Sequence, residues 1–498
     1  ATMRYIGTHA NHPFASASEA VLLGMVPRGG LFVPEFIPRL EADTLTAPDY
    51  LETARRIMAA YFTDFEPPVL DGCLRRAYNP DNFHTPDVVA LRPLGRRRFL
   101  LELFHGPTAA FKDVALQLMP HLTSTAKSLT GDQTHTLILV ATSGDTGKAA
   151  LEGYKNADGI SIVVFYPDGG VSEVQRLQMV TTDGRNTRVF AVRGNFDDCQ
   201  TGVKALFLDA NLRDYLAGLN IKLSTGNSIN WGRLAPQIVY YIRAYALLAA
   251  GGEIKMGDEV DICVPTGNFG NILAAWYARA MGLPVRKLFC ASNKNNILTD
   301  FFQTGVYDTH REFFRTSSPS MDILISSNLE RFLFEIAGRD AEKIKPWFLD
   351  RFRTGRFEID AETKKKIDAF VVSGWADEPR VFAEIKTVHE ETGIIIDTHT
   401  AVASAVSRDV GPADGPATII ASTASPFKFA RDVLGAVTGQ AEPDEFRAID
   451  RLSELAGRPA HRAVRGLRER PVLHEGVLPI SQMREAVIGF AERVRNRG

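Results

Sequence analysis

The sequence predicts an α/β protein in which a mainly helical N-terminal unit precedes two open parallel sheets. Three observations support this class. Apolar residues recur at helical spacing before residue 96, apolar runs typical of strands alternate with helical patterns after it, and Gly-rich turns connect several strands to the next helix. This repeating order is typical of parallel strands covered by helices. The 498 residues are enough for two or three domains.

The N-terminal unit is expected to span residues 1–95. Its helical patterns, "SASEAVLLGMV" and "LETARRIMAAYF", are separated by the Gly and Pro residues of "VPRGGLFVPEFIP". We expect a small α/β domain at residues 136–215 and a large α/β domain at residues 96–135 and 216–498. Within the large domain, the polar and helical segment near residues 300–390 is expected to be an insertion or a covering subdomain.

The predicted strands have helical patterns between most of them. In chain order they are "RRRFLLELF", "THTLILVAT", "ISIVVFYP", "TRVFAVRG", "VDICV", "GIIID" and "ATIIAS". In open parallel sheets, ligands bind where strands end and helices begin. The polar residues at four of these junctions are therefore candidates for a site.

The composition excludes several classes of function. Hydrophobic residues make up 45% and charged residues 23% of the chain, as in an ordinary globular protein. The 57 basic and 59 acidic residues nearly cancel, which gives no support to nucleic-acid or membrane-surface binding. The four cysteines form no CxxC pair, so we expect neither a disulfide framework nor a metal site. Because no apolar run reaches roughly 20 residues and no secretory pattern opens the sequence, we expect a cytoplasmic protein.

One lysine lies beside an apolar helix face. The stretch "HGPTAAFKDVALQLM" predicts a helix with Thr108 as its N-cap and an apolar stripe that starts at Phe111. Lys112 is on the flank of that stripe, so we expect it to be partly buried. Two interpretations remain open at this point. The lysine stem packs on apolar surface while its ammonium reaches water, or the amine is desolvated, has a lowered pKa and acts as a nucleophile.

Two Gly-containing turns are suited to anions. "ATSGDTGKAA" resembles an ATP phosphate loop, but Thr142 and Ala149 replace residues that such a loop requires. Its backbone N–H groups at a helix start still suit a carboxylate or a phosphate. "PTGNFGN" lacks the dinucleotide pattern, but Gly267 and Gly270 allow close approach of a single phosphate. An ordinary tight turn remains the alternative for both.

Two further junctions carry polar residues. In "TGNSINWGR", Asn227, Ser228, Asn230 and Arg233 precede a helix, and an arginine can bind phosphate through two parallel hydrogen bonds. A capped helix with a solvated arginine is the alternative. Asp397 and His399 follow one late strand, and Ser422 and Thr423 follow the other.

One buried lysine and two or three anion sites suit a cofactor that carries both an aldehyde and a phosphate. Pyridoxal 5′-phosphate is such a cofactor. With these residues in view, "HGPTAAFKD", "TSGDTGKAA", "GNFGN" and "SPSMDILISSNLERFLFE" resemble the threonine synthase family, in its long bacterial and fungal class. The resemblance extends from "MRYIGTHANHPF" to "STASPFKFARDVL". It implies the tryptophan-synthase-β-like fold (fold type II) of pyridoxal phosphate enzymes. It also implies conversion of O-phospho-L-homoserine and water to L-threonine and phosphate.

The resemblance also implies residue roles by matching motif. Lys112 would form the Schiff base, and Thr423 would face the pyridine nitrogen. The cofactor phosphate would be held by Gly267, Asn268, Phe269, Gly270 and Asn271. The amino-acid end of the substrate would be held by Ser143, Gly144, Asp145 and Thr146. The substrate phosphate would be held by Ser228, Asn230 and Arg233.

The chain departs from the expected "TAHPAKF" pattern, because "TASPFKF" has Ser425 and Phe427 at the differing places. Any role of a histidine at position 425 therefore does not transfer. The main alternative is another pyridoxal-dependent amino-acid lyase, such as a dehydratase or a phospholyase. A non-catalytic protein that retains the scaffold is a second alternative. We expect a small-molecule substrate, no nucleic-acid or membrane partner, and a monomer or weak homodimer.

Overall fold

The structure is a computed structural model that describes residues 1–497, except for the side chains of residues 350–352. Its strands are β1 (Tyr5–Gly7), β2 (Phe32–Pro34), β3 (Ala90–Gly95), β4 (Arg98–Glu102), β5 (His135–Ala141), β6 (Ile160–Pro167), β7 (Thr187–Arg193), β8 (Ile221–Thr225), β9 (Val260–Pro265), β10 (Val285–Ser292), β11 (Val306–Asp308), β12 (Arg356–Glu358), β13 (Val371–Trp375), β14 (Thr418–Ser422) and β15 (Val477–Pro479).

The helices lie between these strands and cover the sheets. They are α1 (Ala17–Leu23), α2 (Tyr50–Tyr61), α3 (Pro67–Ala77), α4 (Asp113–Leu116), α5 (Met119–Thr130), α6 (Asp145–Tyr154), α7 (Glu173–Val180), α8 (Phe196–Leu208), α9 (Ala210–Gly218), α10 (Trp231–Ala250), α11 (Gly270–Met281), α12 (Ile297–Thr304), α13 (Leu329–Ile336), α14 (Ala341–Thr354), α15 (Ala361–Asp368), α16 (Glu378–Thr392), α17 (Thr398–Val410), α18 (Ala430–Thr438), α19 (Glu445–Ala456) and α20 (Met483–Arg497).

The N-terminal unit is mainly helical, with β1 and β2 paired antiparallel. Ser16 and Asp49 each accept a backbone N–H three residues on and so cap α1 and α2. The unit is anchored by Trp231 at the start of α10. The Trp231 ring packs against Tyr5 and Tyr61 at centroid distances of 5.7 and 5.4 Å. The N-terminal unit therefore shares an aromatic core with the large α/β part.

Two open sheets form the α/β part of the described chain. The larger has the strand order β13-β10-β9-β14-β4-β3, and all its neighbours are parallel except β3 and β4. The smaller has the order β15-β7-β6-β5-β8 and is parallel throughout. Its β5 and β6 are almost wholly buried, as expected for parallel strands with helices on both faces. The predicted α/β class with two open parallel sheets is confirmed.

Strand pairing differs from the expected domain bounds in two places. The sequence predicts that residues 216–498 belong to the large domain, whereas β8 and β15 both pair within the smaller sheet. β8 pairs in parallel with β5, with His135 opposite Ile221, and so extends the smaller sheet by one strand. β15 returns from the end of the chain to cover β7, with Val477 opposite Ala191.

The late apolar run "GIIID" was expected to be a strand, and this expectation is wrong. Gly393 ends α16 with a φ of 75°, and Asp397 caps α17 by accepting the N–H groups of His399 and Thr400. The buried residues Ile394–Ile396 therefore connect two helices. An edge strand instead comes from the expected helical insertion, where β13 pairs with β10.

The carboxyl ends of β5, β9 and β14 lead directly into the polar turns that the sequence marked as candidates. Each turn is followed by a helix or a helical turn that begins within a few residues. Among residues 1–497, no helix combines the length and the apolar character that crossing a membrane requires.

Candidate active site

Lys112 lies at the end of a loop that is fixed from both sides. The carboxylate of Asp113 accepts the Thr108 N–H at 2.8 Å and the Thr108 hydroxyl at 2.7 Å. The expected N-cap role of Thr108 is therefore wrong: α4 begins only at Asp113, and Thr108 donates to its carboxylate. On the other side, the Phe111 N–H donates to the Thr423 carbonyl at 2.8 Å. These contacts hold Lys112 at the carboxyl end of β14.

The loop requires a glycine where it approaches Asp113. A Cβ atom on Gly106 would lie 2.5 Å from the Asp113 Cβ and 2.7 Å from Oδ2. Ala109 adopts a φ of 67°, an uncommon backbone conformation for a residue with a side chain. The surrounding contacts thus impose the shape of this loop and the direction of Lys112.

The Lys112 amine is desolvated. The residue is only 8% exposed, and burial lowers the pKa of its amine to about 8, although Asp145 opposes this effect. The charges of Arg233 and Lys428 contribute to this lowering of the pKa. The distance from Lys112 Nζ to Asp145 Oδ2 is 3.8 Å. Of the two interpretations left open by the sequence, the geometry favours a buried amine with a lowered pKa over one that reaches water.

Lys112 faces a pocket between the two sheets. Ten of the residues predicted for the site line this pocket: Lys112, Thr146, Ser228, Arg233, Gly267, Asn268, Phe269, Gly270, Asn271 and Thr423. The pocket wall also includes residues that had no predicted role, namely Phe111, Gln237, Pro265, Ser320, Met321 and His399. Four predicted site residues, Ser143, Gly144, Asp145 and Asn230, are not among the lining residues.

The loop Gly267–Asn271 forms a cup at the start of α11. Phe269 takes the left-handed conformation, with a φ of 73°, and α11 begins at the next residue. A Cβ on Gly270 would lie 2.9 Å from the Ser228 Cβ, so glycine is required there. Asn271 accepts the Thr266 hydroxyl at 2.7 Å and donates to the Pro265 carbonyl at 3.0 Å, which braces the turn. Unused N–H groups at a helix start favour an anion.

Arg233 provides a second anion-binding group. Its guanidinium is buried and donates to the Gly226 carbonyl at 2.6 Å. Its Nε and the Asn268 Oδ1 are buried without a hydrogen-bond partner in the part of the chain that the structure describes. Because buried polar atoms are normally paired, these two point to a missing polar ligand. Ser228 beside them accepts a hydrogen bond from Asn328 at 3.0 Å.

The Asn230 side chain makes structural hydrogen bonds and is not among the residues that line the pocket. Its side-chain amide donates to the carbonyls of Val21 and Thr225, at 3.0 and 2.8 Å. Its Oδ1 accepts the Gly232 N–H at 2.9 Å and so caps α10. The predicted contact of Asn230 with a ligand remains a prediction, and the observed contacts give it a part in fixing α10.

The loop Ser143–Thr146 is closed by its own hydrogen bonds. Thr142 Oγ1 accepts the N–H groups of Gly144 and Gly147 at 2.9 and 2.8 Å. Gly144 has a φ of 133°, and a Cβ there would collide with the Gln175 side chain. Asp145, at the first position of α6, is buried and has its Oδ1 2.7 Å from Lys428 Nζ. Burial raises the pKa of Asp145, but Lys428 and then Lys112 outweigh this effect and hold the pKa below its usual range.

His399 and Lys428 were not given a role by the sequence. His399 Nδ1 is 2.8 Å from Asp397 Oδ2, and its Nε2 accepts the Ser320 N–H at 3.2 Å. The Ser320 hydroxyl in turn donates to Asp145 at 3.1 Å. In the sequence, only the motif "SPSMD" could have indicated a role for Ser320, and only the motif "SPFKF" could have indicated one for Lys428.

The residues present fit pyridoxal phosphate. An amine with a lowered pKa suits its aldehyde, the cup at α11 suits its phosphate, and the buried Thr423 lines the same pocket. Arg233, a second buried cation in the pocket, can bind another anionic group.

Comparison with known proteins agrees with this geometry. Two family models match the chain, "Threonine synthase N terminus" over residues 4–78 and "Pyridoxal-phosphate dependent enzyme" over residues 88–421. Threonine synthase of Pseudomonas aeruginosa is 38% identical over 453 residues, which cover 88% of this chain and 91% of that protein. The crystal structure of pyridoxal-phosphate-bound threonine synthase from Brucella melitensis has a TM-score of 0.82 and 33% identity, covering 99% of both chains.

A human relative has a different overall length. Threonine synthase-like 1 of Homo sapiens is 41% identical over 434 residues, which cover 84% of this chain. The matched part spans 58% of the length of that relative.

Proposed function

The chain belongs to the threonine synthase family of pyridoxal-phosphate-dependent enzymes, and we propose that it converts O-phospho-L-homoserine and water to L-threonine and phosphate. This reaction would be the last step of threonine biosynthesis. The observation that carries the proposal is one pocket that joins the Lys112 amine to two anion-binding groups, the loop Gly267–Asn271 and Arg233. A phosphorylated cofactor and a phosphorylated substrate would require two such groups.

Pyridoxal phosphate supplies an aldehyde for a lysine amine and a ring that withdraws negative charge from the substrate α-carbon. Lys112 would anchor this group, and the N–H groups at the start of α11 would hold its phosphate. Thr423, which lines the same pocket, would face the pyridine nitrogen. A neutral hydroxyl in that position leaves the ring less fully charged than a carboxylate partner would.

Lys112 also moves protons. Its amine, when released from the cofactor, takes the α-proton of the substrate as a general base. The lowered pKa suits this task, because a base with a pKa of about 8 is partly unprotonated near neutral pH. The fixed loop around Asp113 and Thr108 keeps the amine on the same wall of the pocket throughout.

The substrate is held at both ends. The loop Ser143–Thr146, at the start of α6, takes the carboxylate through backbone N–H groups other than that of Gly144, which donates to Thr142 Oγ1. Ser228 and Arg233 take the phosphate, for which the unpartnered Arg233 Nε provides a donor. Asn230 supports this end indirectly, since it caps the helix that carries Arg233.

The decisive experiment incubates the purified protein with pyridoxal phosphate and O-phospho-L-homoserine and measures threonine and phosphate. We expect the two products in equal amounts. The Lys112→Ala variant should lose activity by several orders of magnitude, because it lacks both the anchor and the base. Borohydride reduction should attach the cofactor to the Lys112 peptide. Rapid phosphate release without threonine would contradict the proposal.

A second candidate is a lyase that releases phosphate or water from another amino acid. The human relative named threonine synthase-like 1 is 41% identical, somewhat above the 38% of the Pseudomonas aeruginosa synthase. In addition, Ser425 and Phe427 depart from the pattern expected for the family. Parallel assays with serine, threonine and phosphorylated amines as substrates distinguish this candidate from the synthase.

We also propose that the protein acts in the cytoplasm as a monomer or weak homodimer. The four cysteines are buried and unpaired among residues 1–497, which suits a reducing compartment. Light scattering at several protein concentrations tests the oligomeric state.

A further inference from the structure

The loop assigned to the substrate carboxylate contains a carboxylate of its own. Asp145 opens α6 within the loop Ser143–Thr146 and is only 2% exposed. An uncompensated negative charge at this place would repel an incoming carboxylate, because screening by water is weak at a buried site. The loop can therefore bind an anion only if another group neutralises Asp145.

The position of Lys428 makes it the group that neutralises Asp145. Its Nζ is 2.7 Å from Asp145 Oδ1, and its side chain is fully buried. It lies in the turn Pro426–Phe429, five residues after Thr423, so the end of β14 carries both residues. The contact joins the large sheet to α6, which follows β5 of the smaller sheet.

The ammonium of Lys428 has more N–H donors than its contact with Asp145 uses. The charge of Lys428 lowers the pKa of Asp145 more than the hydrogen bond between the two side chains does. The other oxygen of Asp145 accepts the Ser320 hydroxyl at 3.1 Å and lies 3.8 Å from Lys112 Nζ. Gln175 donates to Oδ1 at 2.9 Å. Asp145 is thus shared between two lysines, one of which must stay available for chemistry.

We propose that Lys428 is a positioning residue that neutralises Asp145, so that the loop Ser143–Thr146 accepts the substrate carboxylate and Lys112 is not held as the ammonium partner of Asp145. The part of this inference that concerns the substrate carboxylate rests on the proposed function. The part that concerns Lys112 needs no substrate.

The charges around Lys112 give the direction of the effect. Asp145 favours the protonated amine, whereas Arg233 and Lys428 disfavour it. His399 acts on Asp145 in the same sense as the two lysines. Removal of Lys428 therefore leaves Asp145 free to attract both the proton on Lys112 and any cation nearby, while it repels the substrate carboxylate. Removal of both charges cancels these effects.

The test compares the holoenzyme with Lys428→Met and with the double variant Asp145→Asn/Lys428→Met. Methionine replaces the apolar stem of the lysine with a stem of similar length and lacks the ammonium. We expect Lys428→Met to raise the KM for O-phospho-L-homoserine by about tenfold or more, with a smaller loss of kcat, because a buried like charge opposes binding. The double variant should recover most of the KM. A lower kcat and Tm with unchanged KM, or a double variant no better than the single one, overturns the proposal.

A spectroscopic measurement separates this inference from the proposed function. The absorbance of bound pyridoxal phosphate is titrated against pH without substrate. Lys428→Met should raise the titration midpoint by about one pH unit or more, and the double variant should bring it back. If this shift occurs in a protein that makes no threonine, the role of Lys428 beside Lys112 stands and the substrate assignment fails. An unshifted midpoint overturns the proposal whatever the activity.

Discussion

Lys112 and Asp113 are neighbours in the sequence, but their charged groups point to different partners. The Asp113 carboxylate turns back to Thr108, and burial raises its pKa to about 6. The Lys112 amine lies 3.8 Å from Asp145 Oδ2. Asp113 therefore fixes the loop, and the charges that act on Lys112 come from Asp145, Arg233 and Lys428.

The lowered pKa of Lys112 predicts how the cofactor-free protein captures pyridoxal phosphate. Only the neutral amine attacks an aldehyde, so the capture rate should rise with pH and level off above a midpoint of about 8. Rapid-mixing absorbance at a series of pH values measures this rate. The Lys112→Arg variant should show no capture and serves as the control. A midpoint near the ordinary lysine value of 10.5 would show that burial does not control this amine.

Among the elements, α11 and the loop before it depend most on backbone shape. Phe269 is left-handed, Gly270 starts the helix against Ser228, and Asn328 donates to Ser228 from the segment before α13. The Asn328 N–H also donates to the Asn268 carbonyl at 2.8 Å. The cup at α11 is thus built by three segments that are far apart in the sequence.

The Gly270→Ala variant should bind pyridoxal phosphate about tenfold or more weakly, because its Cβ must displace Ser228 and distort the cup. Equilibrium titration of the cofactor measures the change. Gly218→Ala is the matched control, since this glycine also lies in a helix but a Cβ there meets nothing within 4 Å. Equal affinities of the two variants would mean that the fit of Gly270 against Ser228 does not matter for binding.

The order of the elements could be predicted because periodicity and Gly-rich turns are local signals. The cup "GNFGN", the lysine loop and Arg233 were found in this way. "GIIID" was misassigned because a short apolar run is the same in a strand and in a buried connection. Asn328, Ser320 and Lys428 could not be given their roles from the sequence. Their contacts with Ser228 and Asp145 join residues that are 100 or more positions apart.

At the scale of the whole molecule, the buried Arg331 connects the N-terminal unit, the segment before α10 and the segment before α13. The Arg331 guanidinium donates to the Phe32 carbonyl in β2, to the Ile229 carbonyl before α10, and to Asn328 Oδ1, at 2.7, 2.7 and 2.8 Å. The N-terminal unit therefore braces the segment that carries Ser228 at the pocket. The resemblance to the threonine synthase family, which was drawn from motifs in both parts, is confirmed by the matching family models.

The Arg331→Met variant should lose about 3 kcal/mol of unfolding free energy, because buried carbonyl acceptors are left unpaired. It should also bind pyridoxal phosphate more weakly, since Asn328 and Ser228 lose their support. Denaturant unfolding and cofactor titration measure the two effects. Arg4→Met is the control: its pair with Glu35 is exposed, and its loss should change the unfolding free energy far less than the loss of Arg331. A stable Arg331→Met protein with normal affinity would contradict the bracing role.

The pairing of β15 with β7 also bears on how the chain is made. Val477 lies opposite Ala191 in this sheet, so the edge of β7 is left uncovered until the distant segment that carries β15 has been synthesised. Unpaired strand edges of this kind are prone to join other chains. The β7 edge is therefore open to association with other chains during synthesis, and its pairing with β15 removes that hazard.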